Sequence, residues 1–217
     1  VTVVFARVLD PEMFGAYKYI LSLAGIAGVF SLTGMNTALT RAVARGEEDV
    51  FVPAVRAFAL WSIPSALVLL SMSGYYGYMG NYTYMWALGI ASFLQPLWHT
   101  GMLYVPYLQG KRDFRASTIY QMIEALSVAA LSVAAALYAA NILLLVGIFL
   151  GGHALFATVW LYKNMCAESR VKNKKHVREM LRYAKHLSGM KVWSSGIQHI
   201  DKIIVFKLVL YPECLQN

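Results

Sequence analysis

Residues Val4–Glu12 read V-F-A-R-V-L-D-P-E, and residues Val205–Glu213 read V-F-K-L-V-L-Y-P-E. Six of the nine paired positions are identical, and in each copy Pro-Glu ends an apolar run. We interpret the copies as the outer ends of two equivalent membrane helices, so that one full structural repeat is followed by the first helix of the next. The alternative is that short apolar runs before proline recur by chance in an apolar chain.

Composition indicates an integral membrane protein. Hydrophobic residues make up 59% of the 217 residues, charged residues make up 14%, and the mean hydropathy is +0.53. A soluble domain of this size could not bury so much apolar surface in one core. The sequence lacks an initiator Met and its first and last apolar runs look cut, so we expect a piece of a longer protein.

The apolar runs predict an all-α fold, a polytopic transmembrane helix bundle, because a membrane-spanning helix needs about 20 apolar residues. Proline and glycine, which break helices, predict a turn at Asp10–Gly15 before the second apolar run. Pro96 and Pro106 predict a kinked fourth span, and Pro64 falls inside the third. The predicted spans are 1–9, 16–39, 53–73, 83–108, 117–138, 142–162 and 189–210.

These spans predict one six-helix lobe plus the first helix of a second lobe. The predicted divisions are an N-terminal transmembrane lobe at 1–162 with a truncated first helix, a basic cytoplasmic linker at 163–188, and the truncated first helix of the second lobe at 189–217. Because six is even, the repeat would be parallel rather than inverted.

Basic residues cluster in alternate loops. Loops 74–81 and 139–141 hold no Lys or Arg, whereas three other loops and their flanks hold fourteen of the nineteen basic residues. The positive-inside rule predicts that these three loops lie in the cytoplasm. The fourteen residues are Arg41, Arg45, Arg56, Lys111, Arg112, Arg115, Lys163, Arg170, Lys172, Lys174, Lys175, Arg178, Arg182 and Lys185.

The third basic loop contains the pattern of an amphipathic helix at His176–Leu187. Val177, Met180, Leu181 and Ala184 share one face of that helix. We expect the helix to lie on the cytoplasmic surface and to link the two repeats. The alternative is an ordinary solvated run of charges.

Polar side chains inside spans are costly in lipid and are therefore the candidate functional residues. The last span carries a stripe of Lys191, Ser195, Gln198 and Lys202, with Asp201 beside it. One interpretation is a cationic cavity for an anionic substrate, in which Asp201 moderates the charge. The other is that Lys191 reaches the cytoplasmic interface and Asp201 pairs with Lys202 or a neighbour for packing.

The fifth span carries a candidate carboxylate, Glu124. It lies on a stripe with Ser117, Gln121 and Ser127. Glu124 could be a proton site, an ion site or a partner for Lys202, or it could have a structural role.

Two further candidates lie in earlier spans. His99 shares a face with Ser92 and Gln95 and could line a midplane site or make a structural hydrogen bond. Arg7 could line an outward cavity or meet lipid headgroups. A separate group of short polar residues is expected to form interhelical hydrogen bonds. These residues are Thr33, Asn36, Thr37 and Thr40.

Motifs of enzymes are missing from the sequence. It contains no P-loop, no H-E-x-x-H, no C-x-x-C and no D-x-D. Cys166 and Cys214 have no motif spacing, so neither a disulfide framework nor a metal site is predicted. We therefore expect no enzyme activity, no cofactor, no metal site and no nucleic-acid partner.

Four segments in order resemble the polysaccharide biosynthesis, or O-antigen flippase, family of the multidrug/oligosaccharidyl-lipid/polysaccharide exporter superfamily. They look like the first outer turn, the second helix with its loop, the loop after the fourth helix, and the start of the seventh helix of that family. The resemblance covers essentially the whole chain. The segments are Ala6–Tyr17, Ser31–Arg45, Tyr107–Arg115, and Arg178–Gly189 followed by Ile200–Val205.

The resemblance implies two six-helix lobes that rock around a central cavity and pass an undecaprenyl-pyrophosphate-linked oligosaccharide across the inner (plasma) membrane. It implies that basic cavity residues meet the pyrophosphate, with Asp201 and Lys202 in the matching I-D-K motif and Arg7 in the matching first helix. Membrane lipids and a coupling ion, H⁺ or Na⁺, are the other partners expected.

The chain departs from the family pattern at three places. The family usually has Pro where Lys185-His186 stands, so the entry into the seventh helix would differ here. It usually has Gly at the outer turns, where this chain has Asp10 and Tyr211.

Two rival functions remain open from the sequence. A multidrug or cation antiporter of the same superfamily would need an acidic cavity, against which Lys191, Lys202 and Arg7 argue. A membrane enzyme of glycan assembly would need large outer loops with catalytic side chains, and the predicted outer loops are short and nearly free of charge.

Overall fold

The computed structural model describes residue 5 and residues 7–138, 141–167 and 175–190. These residues are almost wholly helical and contain no strand, so the predicted all-α fold is confirmed. A short 3₁₀ turn at Glu48–Val50 lies directly before the helix that begins at Phe51. The helices are α1 (Pro11–Gly28), α2 (Met35–Ala44), α3 (Phe51–Trp61), α4 (Ile63–Tyr78), α5 (Tyr82–Gly101), α6 (Tyr104–Gly110), α7 (Phe114–Tyr138), α8 (Ile142–Ala167) and α9 (175–190).

Three helical stretches are long and apolar enough to cross a membrane. They are Glu48–Tyr78, Phe114–Tyr138 and Ile142–Cys166, within the described part of the chain. The last two agree with the predicted spans 117–138 and 142–162. Length and composition therefore support a membrane protein, as predicted.

The Pro-Glu of the first repeated stretch begins a helix. We predicted a turn over Asp10–Gly15, and this was wrong beyond Asp10, because α1 starts at Pro11. Proline is favoured in a first helical turn, where its fixed φ fits and its missing N–H needs no partner. Glu12 adds a negative charge near the positive end of the helix dipole.

The predicted span 16–39 is interrupted at residues 29–34, which separate α1 from α2. The hydroxyl of Ser31 donates to the carbonyl oxygen of Gly28 at 2.6 Å, an oxygen that a continuous helix would pair with the N–H of Leu32. Short polar side chains offer the backbone such alternatives to the helical ladder. A single straight span was therefore the wrong expectation for this segment.

Prolines account for two further breaks. Pro64 lies in the first turn of α4, directly after the break at Ser62. Pro106 lies in the first turn of α6, where it cannot donate to the carbonyl of Met102, and the predicted span 83–108 is divided at Met102 and Leu103. Helix α5 continues through Pro96.

Helix α5 is the centre of the bundle and packs against α8, α4 and α1. Its last residue, Gly101, allows a close approach to α8, because a Cβ atom there would lie 2.6 Å from the Cβ atom of Ala157. Small residues at such contacts bring helices together in lipid, where dispersion contacts replace the hydrophobic effect.

The loop after α6 is held to the 3₁₀ turn by a charged pair. Lys111 Nζ lies 2.8 Å from Glu48 Oε2 and above the ring of Tyr107. Partial burial lowers the pKa of the Lys111 ammonium, but its interactions with Glu48 and Tyr107 raise the pKa by more, so the net shift is upward.

The predicted amphipathic helix is confirmed as α9. Met180 and Ala184 are buried in a core with Met35 and Leu39 of α2. A hydrogen bond and a cation–π contact join the same two helices: the Gly34 N–H donates to Ser188 Oγ at 2.8 Å, and Arg41 lies over the ring of Tyr183. The apolar face of α9 thus packs on α2.

The predicted second copy of the repeated stretch, at Val205–Glu213, lies outside the described residues. The same holds for most of the last predicted span.

Candidate functional site

Two adjoining cavities lie beside the helix breaks at 29–34 and 102–103. Their volumes are about 340 and 370 Å³, and both are lined by Asn36 and Met102. We call this pair the break groove. Its lining residues are Gly25, Gly28, Val29, Ser31, Thr33, Asn36, Thr37, Thr40, Phe58, His99, Met102, Val105, Pro106 and Gln109.

The polar groups of the break groove are all uncharged. Hydroxyl, amide and imidazole groups lie among apolar ones, and the linings include no Asp, Glu, Lys or Arg from the described part of the chain. Such groups both donate and accept hydrogen bonds. The groove is therefore suited to a ligand rich in neutral hydroxyls rather than to an organic cation.

A glycine sets the depth of the groove between α1 and α5. A Cβ atom at Gly28 would lie 3.0 Å from His99 Cε1 and 3.1 Å from Gln95 Nε2. Gln95 is buried, and its side-chain amide donates to the carbonyl oxygen of Ala24. This hydrogen bond ties α5 to α1 next to the first break.

The other wall is formed by the two short helices that follow the breaks. Thr40 Oγ1 of α2 donates to the carbonyl oxygen of Pro106 in α6 at 3.1 Å. A Cβ atom at Gly110 would lie 2.7 Å from the Cβ atom of Val43, so α2 and α6 approach closely. Thr40 therefore makes the interhelical hydrogen bond that we expected. Two of the other expected residues, Asn36 and Thr37, are exposed in the groove.

A second polar group is buried between α6, α7 and α8, and we call it the Glu124 cluster. Glu124 Oε1 lies 2.7 Å from His153 Nδ1, and the hydroxyl of Tyr104 donates to Glu124 Oε2 at 3.2 Å. The ring of Trp98 stacks on that of His153, with centroids 4.6 Å apart. Glu124 itself is only 3% exposed.

The predicted site residues separate into four groups. His99 lines the break groove, and Glu124 lies in the buried cluster. Arg7 is exposed and is not among the residues that line the groove. The remaining four lie outside the described residues: Lys191, Gln198, Asp201 and Lys202.

Sequence reasoning missed His153 and Tyr104. His153 is a titratable residue in the middle of a very apolar span, and that alone was a usable signal. Tyr104 carried no comparable signal, because tyrosines are common in this chain. Within the described residues, no group of three or more His, Cys, Asp or Glu side chains could hold a metal ion.

Comparison with known proteins identifies the family. The family model described as "Polysaccharide biosynthesis protein" matches residues 1–213. Neither the curated proteins nor the solved structures include a significant match. The family match covers almost the whole chain and agrees with the segments that resemble this family, and the chain belongs to the polysaccharide biosynthesis protein family.

Proposed function

We propose that this chain is part of a flippase that carries a lipid-linked oligosaccharide or polysaccharide precursor across the plasma membrane by alternating access. The observation that supports the proposal best is the break groove, an uncharged hydrogen-bonding surface beside two interrupted helices. Interrupted helices expose backbone and side-chain polar groups in a membrane only where they line a cavity or are buried in protein.

A lipid-linked glycan has two chemically different parts, the sugar hydroxyls and the pyrophosphate, and we assign them to different residues. The sugar hydroxyls meet the neutral groups of the break groove. The pyrophosphate, of undecaprenyl-pyrophosphate type, meets the basic residues Lys191, Lys202 and Arg7, with Gln198 and Asp201 beside them. A basic side chain attracts the phosphate oxygens strongly inside a membrane cavity.

The orientation and the energy source are also parts of the proposal. The three basic loops lie in the cytoplasm, as the positive-inside rule favours, and the glycan moves from the cytoplasmic to the outer side. Transport draws on a gradient of H⁺ or Na⁺. The proposal includes no catalytic role for this chain.

The proposal is tested by removing hydrogen-bonding groups from the groove in the full-length protein. We expect the double variant Asn36→Ala/Thr37→Val to reduce export about 5- to 150-fold, because two lost hydrogen bonds are worth roughly 1–3 kcal/mol. Export is measured as glycan at the cell surface, with lipid-linked precursor in the membrane as the complementary product. The protein level in the membrane is measured in parallel.

A matched control is Thr83→Val, the same change at an exposed position in the first turn of α5. This variant should export at the wild-type rate. Normal export by the double variant, at normal protein level, would refute the role of the groove. Lys202→Ala should block export while the protein remains in the membrane, and normal export there would refute the cationic part of the cavity.

A further inference from the structure

The Glu124 cluster lies apart from the glycan-binding surface and has no role in the proposed contacts with the glycan. It holds a carboxylate whose side chain is 4% exposed and an imidazole whose side chain is 15% exposed. Burying an ion inside a membrane bundle is costly unless its charge is balanced. A buried carboxylate beside a buried imidazole can share a proton, and this pairing points to a function in proton binding.

The groups that face Glu124 come from neighbouring helices. Helix α8 contributes His153, helix α6 contributes Tyr104, and helix α5 contributes Trp98, which stacks on His153. His99 is a further titratable group, and the centroid of its ring lies 5.5 Å from that of the Trp98 ring. Within the described residues, Glu124 forms no ion pair with a lysine or an arginine.

We propose that Glu124 and His153 form a proton-binding site that exchanges one proton during each transport cycle. In the proton-free state, neutral His153 donates its Nδ1–H to the Glu124 carboxylate, and the pair carries one negative charge. A proton then binds to Nε2 of His153, and the pair becomes neutral. The proton at Nδ1 remains between the ring and Oε1, and it is shared by the two groups.

The geometry favours entry of the proton through His153. Its side chain is the more exposed of the two, and imidazole can accept a proton on one nitrogen while the other keeps its hydrogen bond. The Trp98 ring holds the imidazole in place from one face and stabilises positive charge on it. Because Glu124 is almost fully buried, the proton is exchanged at the imidazole rather than at the carboxylate.

The ligand is a proton rather than a hard metal cation. Such cations bind about six oxygen ligands, whereas this cluster offers two carboxylate oxygens, one phenol oxygen that donates its hydrogen, and one imidazole nitrogen. Those groups instead suit proton exchange, since each can donate or accept a proton or a hydrogen bond.

The cluster is connected to the break groove, and this part rests on the proposed function. Tyr104 is the first residue of α6, directly after the break at Met102 and Leu103, and Met102 lines both cavities of the groove. A hydrogen bond to a fully charged carboxylate is stronger than one to a carboxylate whose charge is neutralised. Proton binding therefore weakens the hydrogen bond from the Tyr104 hydroxyl to Glu124. The backbone at Met102 and Leu103 is then free to change its conformation.

The site is tested by nitrogen NMR on the full-length protein with ¹⁵N-labelled histidine, in lipid nanodiscs, between about pH 4 and pH 9. We expect Nε2 of His153 to gain one proton in a single step while Nδ1 stays protonated. His153→Gln assigns the signal by removing it. Glu124→Gln, which removes the charge but keeps the shape, should shift the Nδ1 resonance, because the Nδ1–H then loses its carboxylate acceptor.

Matched controls are Glu12→Gln and His186→Gln, which make the same changes at exposed positions. Both should leave the His153 signals as in the wild type. The proposal is overturned if Nε2 does not gain a proton, if Nδ1 is the nitrogen that changes its protonation, or if Glu124→Gln leaves the Nδ1 resonance in place.

A second measurement separates this inference from the proposed function. Glycan export by the wild type should fall when a protonophore collapses the proton gradient, and export by Glu124→Gln should be low with or without it. If the NMR step is present and Glu124→Gln exports normally, the coupling to the groove is refuted. If Asn36→Ala/Thr37→Val exports normally, the glycan surface is refuted while the proton site stands.

Discussion

Replacing Gly34 by alanine should detach α9 from α2. Gly34 has φ −75° and ψ −11°, a conformation that alanine adopts without strain, so the whole effect comes from packing. A Cβ atom there would lie 2.5 Å from the carbonyl oxygen of Ala184 and 2.8 Å from the Cβ atom of Leu187. Both contacts are too short, and the nearer one is to backbone, so α9 must move.

The size of the effect follows from two contributions. Overpacking of a close helix contact costs about 1–3 kcal/mol. Movement of α9 also lengthens the hydrogen bond from the Gly34 N–H to Ser188 Oγ, which is worth about 0.5–1.5 kcal/mol. A combined loss of about 1.5–4.5 kcal/mol raises the population of undocked α9 about 13- to 2,000-fold.

Hydrogen–deuterium exchange on the full-length protein measures this population. Exchange of the amides at 178–187 should accelerate by that factor, up to the limit set by full opening, while exchange in α5 stays unchanged. Ser188→Ala, which removes only the hydrogen bond, should give a smaller acceleration of about 2- to 12-fold. Gly15→Ala is the control, because nothing lies within 4 Å of a Cβ atom there. Equal exchange of α9 in Gly34→Ala and the wild type would refute the docking described for α9.

Three further substitutions test the packing around α5 and the groove. Gly101→Ala places a Cβ atom 2.6 Å from that of Ala157, so we expect the protein to lose about 1–3 kcal/mol of stability, measured as a lower melting temperature in nanodiscs. Gly147→Ala has open space around the new Cβ atom and should stabilise the protein by about 0.5–1 kcal/mol. A higher melting temperature for Gly101→Ala than for Gly147→Ala would contradict the packing. Gly28→Ala should narrow the break groove at His99 and lower glycan export severalfold at unchanged protein level; undiminished export would show that this end of the groove is not used.

Local sequence pattern was enough to predict some features of the structure. The amphipathic spacing of Met180 and Ala184 identified α9, and the shared face of Ser92, Gln95 and His99 is turned toward the bundle. These predictions succeeded because helical periodicity places residues three and four apart on one side, whatever the tertiary structure.

Features that depend on contacts between distant segments were missed. Glu124 and His153 lie on different helices, and neither residue's sequence neighbours indicate the other. The break at 29–34 has no proline and depends on a hydroxyl that competes for a backbone carbonyl, so hydropathy alone does not detect it. Pro106 was predicted to kink the span 83–108 rather than to divide it, and its position four residues after Met102 explains where the break falls.

The central claim is that the break groove binds the glycan, and the most direct test is chemical protection of a cysteine at Asn36. In a full-length protein with its native cysteines replaced, Asn36→Cys should react with a water-soluble thiol reagent. Lipid-linked oligosaccharide at ten times its Kd should slow the reaction about tenfold. Thr83→Cys, at the exposed position in the first turn of α5, is the control and should react without protection. If Asn36→Cys reacts at the same rate with and without the lipid-linked oligosaccharide, the groove is not the binding surface.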